Sequence, residues 1–324
     1  MSDGRPVLSV PPREIPVPVS VSPIAQAIMA RGRTEGPPDP PVHDKAAWRA
    51  MAAAMNQHML PLFKARGAHV KAEVGEISVK GVRVYTVLPD AVASQDPCVF
   101  LDIHGGAFIV GGGECCKAEA VWCAGDVEMR VWSVDYRSPP DFPYPAPLDD
   151  CLTVYRELLN RYRPEQIAVG GASAGACLSA AMVLRARDWG MPMPGAVVLH
   201  TPGIDLTNSG DSMETNKYID AVLPTDMSKI RHVYAPRADF KHPHVSPLFG
   251  DFTKGFPPTF LSAGTRDRFL SDAVRMHAAL RAADIDAELH IIEAGSHGGF
   301  HGAPEADHLH REVRKFLRRT LQRG

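Results

Sequence analysis

The hydrophobic pattern changes character twice along the chain. Before residue 45 it is broken: ten of the 29 prolines fall there, which predicts an extended, irregular segment. Two helical periodicities emerge from it. In SPIAQAIMARG, Ser22 stands as N-cap, Pro23 at the first helical position and Gly32 as the stop. DKAAWRAMAAAMNQHMLP starts at Asp44, repeats Trp48, Met51, Met55 and Met59 at steps of three and four, and is expected to end before Pro61. Such a stripe fits a helix packed on the main body. It also fits a lid, because a Met-rich face adapts to varied apolar ligands.

From about residue 73 the period shortens. EISVKGVRVYTVLP alternates like two strands around a turn. Six apolar runs follow: CVFLDI (98–103), VWSVDY (131–136), IAVGG (167–171), AVVLH (196–200), TFLSAG (259–264) and LHIIEAG (289–295). Each ends in a Gly-rich or polar turn, and helical patterns separate most of them. The eight predicted strands define an α/β protein with a mostly parallel sheet and helices on both faces. FLSDAVRMHAALRAAD and EADHLHREVRKFLRRTLQ are amphipathic helices, the latter burying Leu309, Val313, Phe316, Leu317 and Leu321. Between residues 205 and 250 the rhythm fails, and that length predicts an inserted lid element. Ligands of open α/β sheets sit at the carboxyl ends of strands, so chemistry is expected in the turns that follow them.

Three of those turns carry reactive residue types. IAVGGASAGA runs an apolar strand into the G-x-S-x-G turn of Gly171–Gly175 and then into a helix, the context of a nucleophile elbow with Ser173 at its apex. A serine hydroxyl needs a base, and the base needs an orienting acid. Asp267 follows TFLSAG and His297 follows LHIIEAG, so serine, acid and histidine come in order, each after a strand. Competing readings exist. Arg266 and Arg268 flank Asp267 as in a surface ion pair, Asp272 is a fallback acid on the next helix, and His301 is an alternative base. HGGFH (His297 to His301) with His308 and His310 also invites a metal, but no carboxylate or cysteine completes a ligand spacing, so no metal is expected. FLDIHGGAFIVGGG offers the backbone N–H groups of Gly105, Gly106 and Ala107 to an oxyanion, with Ala174 after the nucleophile as a further donor. A phosphate loop would end in Lys-Ser/Thr and this one does not, so no phosphate cradle is expected. His104 reads as a brace for the loop.

Composition narrows the classes. The 324 residues are 45% hydrophobic and 22% charged, ordinary for a globular protein with a substantial core. A net charge of −2 without a basic block gives no footprint for nucleic acid or anionic membranes. The six cysteines lack zinc spacing, and Cys98 and Cys177 sit in apolar segments, which predicts free thiols in a reduced, cytoplasmic compartment. No apolar run approaches the roughly 18 residues of a membrane span. Prolines and Arg13-Glu14 break the N-terminus, so it does not read as a signal peptide.

With these residues assembled, the chain resembles the hormone-sensitive-lipase-like esterases, bacterial family IV of the α/β-hydrolase fold. HGGAF, VDYRSPPDFPYPAPLDDC, GGASAGA, TPGIDLT, HPHVSPLFGDF and LSAGTRDRF look like that family's successive signatures, over roughly residues 75–320. The resemblance implies a helical cap or lid over 1–72 and an α/β-hydrolase catalytic domain over 73–324, with a cap insertion around 205–250. It implies a cofactor-free serine carboxylesterase acting on short- to medium-chain esters or lactones through Ser173, His297 and Asp267. Some members are dimeric, so a homodimer is a further expectation. Three positions depart from the family: Ala107 replaces a third glycine, Ala172 stands where Asp or Thr is common, and Arg268-Phe269 follow the acid. Arg268 either attracts an anionic substrate or reaches solvent. Two other readings remain: an amide hydrolase with the same triad, and a non-catalytic small-molecule receptor like the plant gibberellin receptors, which lack the catalytic histidine.

Overall fold

The strands fall where the apolar runs place them. The computed structural model describes residues 6–33 and 36–322. β1 (Ala72–Val79) and β2 (Val82–Pro89) form an antiparallel hairpin, turned by Lys80 and Gly81 with φ of 49° and 89°. Then follow β3 (Val99–Ile103), β4 (Arg130–Asp135), β5 (Ile167–Ala172), β6 (Ala196–His200), β7 (Thr259–Gly264) and β8 (Ala287–Ile292). The order across the sheet is β1-β2-β4-β3-β5-β6-β7-β8, antiparallel up to β4 and parallel beyond.

Both faces of the sheet are covered, which is why β3 and β7 are buried along their whole length. On one face α4 (Ala146–Leu159), α5 (Ala174–Asp188) and α8 (Leu270–Ala282) set Leu148, Tyr155, Leu178, Met182 and Met276 against Leu101, Val169, Leu199 and Leu261. On the other, α3 (Glu114–Val127) and α9 (Pro304–Thr320) set Cys116, Ala120, Val313, Phe316 and Leu317 against Phe100, Ala168, Val198 and Phe260. Neighbouring strand residues feed opposite cores, as the period of two demands.

The N-terminal segment adds α1 (Pro23–Ala30) and α2 (Lys45–Gly67). Ser22 caps α1, its Oγ accepting from Ala25 N, and Asp44 caps α2. The expected stop before Pro61 is overturned, because α2 runs through Pro61 to Gly67. The carbonyl deprived of its N–H partner belongs to exposed Gln57. Continuation buries Phe63 against Cys115, Ala118 and Trp122, with the two aromatic rings edge-on at 5.0 Å. That packing offsets the lost bond. Trp48 is fully buried and Met51 and Met59 partly so against Ile109, Val110 and Val233, while Met55 stays outside.

Residues 205–250 contain only α6 (Ser212–Thr215), α7 (Ile230–Tyr234) and a 3₁₀ turn at Pro247–Phe249. Tyr234 and Val245 nevertheless join the main core. Among the described residues, no helix is long and apolar enough to cross a membrane.

The two faces predict where truncation costs most. Phe316 is 1% exposed and its ring lies 5.7 Å from that of Phe260. Phe316→Ala is expected to cost about 3–5 kcal/mol in urea unfolding, and a loss under about 1 kcal/mol would contradict this packing.

Candidate active site

Ser173 stands between β5 and α5 with φ 57° and ψ −120°, a strained conformation for a residue with a side chain. Its glycine neighbours are explained by what crowds them. A Cβ on Gly171 would lie 2.2 Å from Ile103 O, and one on Gly175 would lie 1.9 Å from the same atom. The end of β3 thus presses on the turn, and only hydrogen atoms fit between. Ser173 N donates to His200 O at 2.9 Å, fixing the turn to β6. The apex sits at the N-terminus of α5, whose dipole favours negative charge there.

Asp267 lies in the turn after β7, fully buried. Its Oδ1 accepts from Phe269 N at 2.8 Å and sits 3.2 Å from His297 Nδ1, while Oδ2 is buried without a partner. The surface ion-pair reading of Asp267 therefore fails. Arg266 donates to Pro16 O, and Arg268 is buried, its guanidinium donating to the carbonyls of Met213, Pro224 and Thr225. Arg268 does not reach solvent, and its guanidinium is taken up by main-chain carbonyls. It ties the acid loop to the 205–250 segment.

The alternatives go elsewhere. Asp272 accepts from Ile204 N and Asp205 N, bracing the loop after β6. His301 packs edge-on to Trp122 at 6.0 Å, and His310 pairs with Asp126 at 3.2 Å.

Burial alone would lower the His297 pKa, but the Asp267 charge and hydrogen bond outweigh it and Asp220 adds to them, so the net shift is upward. Asp220 has no motif around it, only the apolar flanks of IDAV in an aperiodic stretch. It is fully buried and accepts from Arg268 N at 3.0 Å through Oδ2 and from His297 N at 3.4 Å through Oδ1. One carboxylate thus joins the acid loop to the histidine loop. Ser296 Oγ, accepting from Ala221 N at 3.1 Å, adds a second tie between the histidine loop and the 205–250 segment.

Ser173 and His297 are linked through two residues. Gly203 N donates to Ser173 O at 3.4 Å, a Cβ on Gly203 would lie 2.8 Å from the Phe269 ring, and that ring meets His297 edge-on at 5.2 Å. Among the hydrogen bonds of the described residues, none joins Ser173 Oγ to His297.

The Gly-rich loop after β3 lies against the elbow. A Cβ on Gly105 would sit 2.9 Å from Ala172 O and 3.7 Å from Ser173 Cβ. Gly106, Ala107 and Phe108 follow with φ of 102°, 54° and 66°. For the two that carry side chains this costs about 1–3 kcal/mol each, so the surroundings must enforce it. They do so at several points. Gly106 O accepts from Ile109 N and Val110 N, both at 2.9 Å, and Phe108 stacks on Tyr234 at 3.8 Å. His104 stacks on Tyr136 at 4.1 Å, and Tyr136 Oη donates to His104 O. The Gly105 N–H is directed at the buried Glu119 carboxyl, whose pKa burial and the Asp102 charge push up to about 8. Among the hydrogen bonds of the described residues, none is donated by the N–H groups of Gly106, Ala107 or Ala174.

One group of metal-type donors occurs among the described residues: a His104 ring nitrogen, Cys116 Sγ and an Asp135 oxygen, all within 4.8 Å. His104 Nε2 lacks a partner. Asp135 Oδ1, however, already accepts from Gly113 N at 2.9 Å, and Cys116 shares a 3.3 Å contact with Ser133 Oγ. These residues support the loop from behind.

Comparison with known proteins places this arrangement. A family model described as the α/β hydrolase fold matches residues 100–301. The chain is similar to an esterase of Acinetobacter venetianus, 33% identical over 216 residues, covering 66% of this chain and 70% of that one. Among solved structures it is similar to an esterase, E25, with a TM-score of 0.89 and 36% identity over 98% of both chains. It is also similar to an esterase from the bacterial hormone-sensitive lipase family, with a TM-score of 0.78 and 28% identity over 94% of this chain and 100% of that one. The chain therefore belongs to the hormone-sensitive-lipase-like, family IV esterases of the α/β-hydrolase fold and is a carboxylic ester hydrolase.

Proposed function

We propose that this esterase works through Ser173, His297 and Asp267, with Gly106, Ala107 and Ala174 as oxyanion donors and Gly105 holding the loop they stand on. The observation that carries the reading is the buried Asp267–His297 contact at 3.2 Å beside a serine held at positive φ. Asp267 holds Nδ1–H, which leaves Nε2 unprotonated and able to accept a proton. Ser173 Oγ attacks the ester carbonyl while Nε2 takes its proton, and the carbonyl oxygen becomes an oxyanion held by the three N–H groups. Collapse expels the alcohol, which leaves with the proton from His297, and an acyl-serine remains. Water then attacks with the same base and frees the acid.

Residues 1–72 and the 205–250 segment act as the cap in this reading. Trp48, Met51 and Met59 pack with Ile109, Val110 and Val233 in an apolar cluster beside the loop, which supports a cap over short and medium acyl chains or lactones. Cys115, Cys116, Cys123, Cys151 and Cys177 are free thiols, which supports a reduced, cytoplasmic compartment.

Ser173→Ala is expected to lower kcat for p-nitrophenyl butyrate by about 10⁵–10⁶-fold and to abolish labelling by a fluorophosphonate. Comparable rates in the two proteins would reject the nucleophile. Asp267 raises the His297 pKa, so the base is free only above that raised value, and activity should climb with pH through it. Asp267→Asn removes the negative charge. The acid limb of the kcat/KM profile should move to lower pH, with kcat down by about 10⁴-fold. A limb that stays in place or moves upward would sink the assignment of Asp267.

A further inference from the structure

Resting on that reading of the site, we propose that Asn56 is a positioning residue for the oxyanion loop, acting from α2 through its side-chain oxygen. Asn56 Oδ1 accepts from Gly111 N at 2.8 Å, where the chain has φ of 100°. Its backbone carbonyl accepts from Cys115 Sγ at 3.3 Å. One residue of α2 therefore holds both ends of the stretch that leads from the strained turn at 106–108 into α3. Asp135 grips the same stretch from the sheet side, through Gly113 N at 2.9 Å. The apolar side of α2 completes the hold, since Trp48 packs with Ile109 and Val110.

The two grips are not equivalent. Asp135 stands at the end of β4 and moves only with the sheet. Asn56 stands on α2, outside the sheet layers, so the loop's geometry depends on where α2 sits. Without that acceptor the Gly111 N–H must turn to water, and the positive-φ turn before it can relax. The N–H groups of Gly106 and Ala107 would then leave the place where the oxyanion forms. Because those donors act on the transition state rather than on bound ester, the loss falls on kcat. It also follows that α2 stays seated during turnover, since lifting it would release Gly111.

The test compares Asn56→Leu, which removes the acceptor at similar size, with Asn56→Asp, which keeps an oxygen at the same reach. Substrate is p-nitrophenyl butyrate, and the transition-state probe is an alkyl trifluoromethyl ketone, whose adduct with Ser173 carries an oxyanion. Asn56→Leu should lower kcat by about 10–100-fold, leave KM within about threefold, and weaken the ketone by the same factor as kcat. Asn56→Asp should recover most of the loss. The inference is overturned if Asn56→Leu keeps kcat within twofold of wild type, if KM alone changes, or if the two variants fall alike. Should Asn56→Leu fail to fold, Asn56→Ala is read against Asn56→Asp by the same criteria. A wild-type protein that turns over no ester and takes no fluorophosphonate at Ser173 would instead defeat the catalytic reading itself.

Discussion

The end of β3 touches the turn after β5 backbone to backbone, with Ile103 O over Gly171 and Gly175 where no Cβ fits. This contact fixes the spacing between two loops that do opposite jobs. One leaves β5 and projects Ser173, and the other leaves β3 and carries the proposed oxyanion donors. Adjacent parallel pairing of β3 with β5 brings their carboxyl ends level, Ile103 opposite Gly171. The small residues of VGGASAGA are the condition for that approach, because any side chain there would push serine and oxyanion loop apart by about a bond length or more. A rim built on backbone contact does not depend on rotamers, so the proposed donors would be in place before any substrate arrives.

The acid side uses a different device. Asp267 and Asp220 are both fully buried, and neither carries a side-chain ion pair with Arg268, which spends its guanidinium on backbone carbonyls. Buried carboxylates of this kind are stabilised by N–H donors, here Phe269 N for Asp267 and Arg268, Val222 and Leu223 N for Asp220. Each charge that acts on His297 is thus pinned by main chain, and the imidazole is held from its ring and from its own N–H.

How much of this was legible followed from how local each signal is. Continuous apolar runs in a sheet covered on both faces are strong signals, so all eight strands could be placed from the sequence, and the candidate residues could be found at their carboxyl ends. Pro61 misled because proline's cost is local while the burial of Phe63 that outweighs it lies in α3, far along the chain. Arg268 misled for a related reason: a cation beside a strand end looks solvated until the carbonyls of residues 213, 224 and 225 are folded over it. Asp220 and Asn56 were invisible. Their partners lie 77 and 55 residues away, in segments without periodicity or with an ordinary helical one. A single sequence records which groups need partners and leaves the pairing to the fold.

The N-terminal helices show what those distant pairings accomplish together. α1 lies on the histidine side, where Val21 and Ala25 pack with Ala294, Phe300 and Ala303, and Ser22 N and Oγ donate to Glu305 at 2.6 and 2.8 Å. α2 lies on the oxyanion side, against Ile109, Val110 and Gly111. The segment that periodicity suggests as a roof therefore rests its two helices on two different loops of the proposed site. The 205–250 segment holds the third, through Arg268 and Asp220, and also stacks Tyr234 on Phe108. Loops at the rim of a sheet are its least constrained parts, because the ladder ends just before them. Placing the N-terminal helices and the 205–250 segment across these loops makes chain that would otherwise serve only to enclose a substrate into a support for the proposed reacting groups.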